Sequence, residues 1–81
     1  MYEQINDPIQ VATVFAGGEL KPLKFLWQGK EFLVKKVNLA YSQFEGRAKI
    51  YYFAVSDHNN YFKLQFNSDS LVWTLLESYI E

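Results

Sequence analysis

The residue types that could carry chemistry are few, and their spacing argues against most of it. His58 is the chain's single histidine, and there is no cysteine. Nucleophilic catalysis needs a Ser, Thr or Cys within reach of a base. His58 falls in Asp57-His58-Asn59-Asn60, a turn sequence whose tip leaves the ring in water. Asp57 and His58 side by side lack the further ligands that a metal site requires, so neither metal nor cofactor is expected. Glu19, Glu31, Glu45, Asp57 and Asp69 stand beside turn signals or strand starts, which are solvated positions rather than a paired acid and base. Gly17-Gly18 does not extend into either glycine-rich phosphate-binding motif. The expectation is a non-enzymatic protein. What remains is aromatic and basic: Tyr52, Tyr61 and Lys63 as a stacking platform, with Lys35, Lys36, Arg47 and Lys49 as phosphate contacts. Small barrels hold single-stranded nucleic acid with such groups, each stacked base contributing about 1–3 kcal/mol.

Positioning any of these residues falls to short alternating runs, such as Ile50-Tyr51-Tyr52-Phe53-Ala54-Val55 and Tyr61-Phe62-Lys63-Leu64-Gln65-Phe66. Period-two alternation between turn signals is the mark of strands that bury one face. The expected fold is all-β: a single small antiparallel meander of about six strands, rolled into an SH3-like barrel or a strongly coiled sheet. Residues 1–7 are polar and read as a flexible N-terminal arm, with residues 8–81 forming the one barrel domain. A first strand, Ile9 to Phe15, should end at Gly17-Gly18, where positive φ suits a tight turn. A second runs from about Leu20 to Gln28, and Pro22 places its start at a sheet edge.

Gln28-Gly29 turns the chain into a long third strand, Glu31 to about Tyr41. Phe32 and Val34 have the opposite parity to Val37, Leu39 and Tyr41, so a bulge at Lys35-Lys36 is expected to put all five on the core side. Ser42–Gly46 reads as a loop and Arg47–Ser56 as the fourth strand. A turn at Asp57–Asn60 then pairs Val55 with Phe62, Phe53 with Leu64 and Tyr51 with Phe66, the core face. It leaves Tyr52, Tyr61, Lys63 and Gln65 together on the opposite face. Leu71 to Ile80 fits a helix or a strand, and Val72, Trp73 and Thr74 favour the strand. Trp27 and Trp73 alternate with apolar neighbours and are expected in the core.

Bulk properties set the limits. A chain of 81 residues is one domain, and one this small buries only roughly 60–65 % of its unfolded surface. Without cysteine no disulfide can compensate, but aromatics at 19 % of the residues can, since each buries about 150–250 Å². No run of apolar residues is long enough for a transmembrane helix. The start of the chain has neither a basic nor an apolar segment, so no signal peptide is expected. Membrane is therefore not an expected partner, and the expected setting is the cytoplasm. The net charge is −1, yet all the Lys and Arg lie between residues 20 and 66, and both flanks are acidic.

From Pro8 onward the sequence resembles an uncharacterised family of small bacterial β-domains, in some genomes encoded beside Y-family translesion DNA polymerases. The matching residues are Pro8, Ile9 and Val11, then Gly18, Leu20, Pro22, Leu23, Phe25, Trp27, Gly29, Phe32, Val34 and Val37. Later come Tyr52-Phe53 with Val55 and Asp57, then Phe62, Leu64 and Phe66, and finally Trp73, Leu75 and Tyr79. The family's middle loop is longer, and its second strand and hairpin are richer in arginine. The resemblance implies a β fold and a prokaryotic cytoplasm, and it supplies no catalytic residue.

One feature of the fourth strand points to a partner. Ile50, Tyr52 and Ala54 make its second face apolar too, and the outer face of a small barrel should be polar. Cover could come from the N-terminal arm (Tyr2, Ile5), the C-terminal segment, a second copy as a homodimer, or another protein. The expected role is a protein-interaction or scaffold module, with single-stranded nucleic-acid binding as the alternative.

Overall fold

A computed structural model describes residues 1–80. It contains seven strands: β1 (Tyr2–Ala16), β2 (Glu19–Trp27), β3 (Lys30–Leu33), β4 (Lys36–Glu45), β5 (Ala48–Ser56), β6 (Tyr61–Asn67) and β7 (Val72–Tyr79). All pairs are antiparallel in one curled sheet of order β3-β2-β1-β7-β6-β5-β4. The fold is all-β as expected, with seven strands in place of six. The first and last strands pair in the middle of the sheet, and the two edges, β3 and β4, are consecutive in the chain. The architecture is thus an up-and-down barrel opened along one seam. Among the described residues no helix is long and apolar enough to cross a membrane.

The β5–β6 hairpin follows its sequence pattern residue by residue. Val55 pairs with Phe62, Phe53 with Leu64 and Tyr51 with Phe66. Asp57 closes the turn, its Oδ1 accepting the Asn60 N–H at 3.1 Å. The inner face carries the core, where Phe25, Phe32, Phe53, Val55, Phe62, Leu64, Phe66, Trp73 and Leu75 form one buried cluster. Phe62 meets Phe25 and Phe32 edge-on, with ring centroids 5.0 and 5.1 Å apart, the geometry that the aromatic quadrupole favours. Trp73 is buried. Trp27 packs partly buried against the cluster, and its Nε1–H donates to Asp7 Oδ2 at 3.1 Å. Residues 72–79 are strand, not helix.

Three expectations are corrected. Residues 1–7 are no free arm: Tyr2, Glu3 and Gln4 pair with Tyr79, Ser78 and Glu77 of β7. The register shift that follows coincides with Asn6 at φ 59°, a conformation asparagine adopts more readily than most residues.

The long third strand is in fact two. Val34 N–H still donates to Leu23 O of β2, whereas Lys35 N–H donates to Ser56 O of β5. The chain therefore changes partner between these residues, and the bulge falls at Asn38, between Val37 and Leu39, rather than at Lys35-Lys36. Val37, Leu39 and Tyr41 are all exposed instead of buried: the bulge at Asn38 turns Leu39 and Tyr41 to the outer face, beside Ala54 and Tyr52, and Val37 faces inward where no strand lies opposite β4 to close the barrel over it. Finally, Ser42–Glu45 is not loop but the end of β4, and Gly46, at φ 64°, turns the chain into β5.

Candidate interaction surface

Tyr52, Tyr61 and Lys63 share the outer face, but they are not equally open. Tyr52 sits between Tyr41 of β4 and Gln65 of β6 and retains only 8 % of its exposure. Its ring stacks on Tyr41 with centroids 4.9 Å apart and planes inclined by 15°. Its hydroxyl donates to Glu45 Oε2 at 3.2 Å and accepts from Gln43 Nε2 and Gln65 Nε2, each at 3.3 Å. The Lys63 ammonium lies 5.7 Å from the Tyr52 centroid and 6.0 Å from that of Tyr41, within cation–π range. The cover that the sequence demanded for Tyr52 thus comes from the side chains of β4 and β6, not from the chain ends. That leaves no free ring face for a base to stack on.

Tyr61 is open at 52 %. It meets Tyr79 edge-on at 6.5 Å, and Tyr79 pairs with Tyr2, so three exposed tyrosines form one cross-strand row. The Tyr2 phenol is pushed above its ordinary 10.0 by desolvation and then by the negative charge of the nearby Glu77 carboxylate.

The basic residues do not converge. Lys36 pairs with Ser56, which pairs with Tyr61, so it extends the tyrosine row. Lys35 stands at the seam, where the chain changes partner. Arg47 is in the β4–β5 turn. Lys49 lies on the inner side, its ammonium 5.1 Å from the Tyr51 ring centroid. His58 is exposed at the tip of its hairpin. Among the described residues, no three His, Asp or Glu side chains stand close enough to hold a metal ion.

A second feature carries no mark in the residue types. β4 pairs with β5 along one edge, and among the described residues its other edge meets no strand. Every residue of β4 is exposed, including Leu39 at 55 % and Phe44 at 69 %. Across the seam, β3 covers β2 only from Lys24 to Trp27, so the earlier half of β2, with Pro22, also has one bare edge. Between the two edges runs a groove of about 610 Å³, floored by Tyr51, Phe53 and Val34, walled by Leu20, Pro22 and Val37, and rimmed by Lys21, Lys35 and Lys36.

Periodicity locates stripes that can be buried; on β4 the bulge at Asn38 splits the expected stripe between two faces, and the partner switch at Val34-Lys35 leaves the inner one with nothing over it. Fold and surface together define an open-barrel β-domain with one long unpaired edge. Compared with protein-family models, with curated proteins and with solved structures, the chain found no match.

Proposed function

We propose that the protein is a non-enzymatic interaction module that takes up an extended segment of another polypeptide along β4. The observation that carries this reading is the edge itself: ten residues long and exposed throughout, with Leu39 and Tyr41 on the outer face and Val37 and Phe44 on the inner. Proteins usually shield such edges with charges, proline, short strands or a covering loop. β4 has one bulge and only its two terminal residues charged. Strand addition uses the free backbone groups for affinity and alternate side chains for specificity. The absence of cysteine suits a reducing cytoplasmic setting, which belongs to the same proposal.

The test is selection of binding peptides from a displayed random library, followed by amide NMR of the complex. Selected peptides are expected to shift and protect the β4 amides. Leu39→Lys should weaken them about tenfold while moving stability by less than about 0.5 kcal/mol, as exposed substitutions do. Peptides that leave the β4 amides unmoved would remove the reading.

A second reading, single-stranded nucleic acid on the outer face, is favoured by one observation: the exposed row Tyr2, Tyr79 and Tyr61 beside Lys63. A labelled oligonucleotide should then gain anisotropy at low ionic strength and lose it with rising salt, because phosphate contacts release counterions. Tyr61→Ala should abolish the gain. No change in anisotropy for the wild-type chain eliminates this reading.

A further inference from the structure

We infer that the strand received by β4 is β4 of a second copy, paired antiparallel about a two-fold axis through Tyr41; the inference rests on reading β4 as a recruiting edge. The register against β5 fixes the face of each residue. Lys36, Leu39, Tyr41, Gln43 and Glu45 point outward, Val37, Ala40, Ser42 and Phe44 point inward, and Asn38 is the extra residue of the bulge.

Antiparallel strands set residues of like face opposite one another. A symmetric β4–β4 pair must therefore be centred on a residue. With the axis at Tyr41, Ala40 faces Ser42 of the second copy and Leu39 faces Gln43. With Asn38 bulged as it is against β5, Val37 then faces Phe44 and Lys36 faces Glu45. Symmetry repeats each contact, giving two opposite-charge pairs, two apolar pairs on the inner side and Tyr41 against its own copy.

The neighbouring registers lack this match. An axis at Ser42 sets Leu39 against Glu45, and an axis at Ala40 sets Lys36 against Gln43; both lose the two ion pairs. Lys36 and Glu45 are the only charged residues of β4, and they stand at opposite ends. An antiparallel partner satisfies both, whereas a parallel one would oppose like charges. Glu45 is already held in place by the Tyr52 hydroxyl, so less side-chain freedom is lost on pairing.

Light scattering and sedimentation of the full chain over a wide concentration range should show a dimer that dissociates more readily in high salt. Lys36→Glu alone and Glu45→Lys alone each oppose like charges twice and should weaken self-association at least tenfold, with unchanged circular dichroism. An equimolar mixture of the two variants should recover the dimer, because every mixed contact is then of opposite charge. A wild-type chain that stays monomeric at millimolar concentration overturns the inference. So does a dimer indifferent to both substitutions, or a mixture that fails to recover association. A monomer whose β4 still binds selected peptides defeats this inference and leaves the proposed function standing, whereas a swap-sensitive dimer that selects no peptide does the reverse.

Discussion

Leu64→Ala is expected to destabilise the fold by about 3 kcal/mol and to lower the melting temperature by roughly 12–24 °C. Leu64 is fully buried and lies between Phe53 of β5 and Leu75 of β7 in the register, at the centre of the core cluster. Truncation there loses the transfer free energy of the removed atoms and leaves a cavity. Its flanking strands are pinned on both sides by ladder bonds and have little freedom to collapse into that space. A chain of 81 residues has a total stability of about 4–12 kcal/mol, so this one change removes a quarter or more of it.

The exposed Leu39 supplies the contrast, since Leu39→Ala should stay within about 0.5 kcal/mol. Thermal and urea denaturation measure both. A loss below about 1 kcal/mol at Leu64 would mean that the inner face is not packed as described.

What the sequence allowed and what it withheld separate along a physical line. The β5–β6 hairpin was legible to the residue because its signals are local: a turn rich in Asp and Asn, with alternating runs of matched length on either side. The burial of Phe53, Val55, Phe62 and Leu64 follows from that register.

β4 departs from its sequence pattern because alternation locates neither a bulge nor a missing neighbour. Val37, Leu39 and Tyr41 alternate like a core strand, but the bulge at Asn38 turns Leu39 and Tyr41 outward and Val37 faces the open seam. Whether a stripe is covered is decided by non-local closure, here by the change of partner at Val34-Lys35. The start of β1 was hidden for a different reason. Tyr2 to Asp7 is mostly polar, and Ile5, its one aliphatic, packs against the core without setting a period; its order comes largely from backbone pairing with β7 that no side-chain pattern announces.

The candidate platform was half legible: Tyr52, Tyr61 and Lys63 do share a face. The burial of Tyr52 depends on Gln43 and Glu45 extending from a segment that reads as a loop.

That burial makes Tyr52 the side chain that ties the edge strand to the sheet, and the second large effect is expected there. Tyr52→Ala removes the ring that stacks on Tyr41 and releases Gln43, Glu45 and Gln65 together. The cost should be about 3 kcal/mol, in the range for truncating a buried aromatic. Tyr52→Phe keeps the ring and deletes only the hydroxyl. Its partners Gln43 and Glu45 are exposed and Gln65 is half-buried, so all three regain water and the cost should be about 1 kcal/mol, the usual net worth of a hydrogen bond. The ring's share, about 2 kcal/mol, therefore outweighs the hydroxyl by about twofold.

Amide exchange locates the effect. In Tyr52→Ala the β4 amides should exchange faster relative to those of β6 and β7, since local opening follows lost side-chain contact. If the two substitutions cost the same, the hydrogen-bond network and not the stacked ring holds β4. If β4 exchange keeps pace with β6 and β7, the edge is anchored by its ladder to β5 alone.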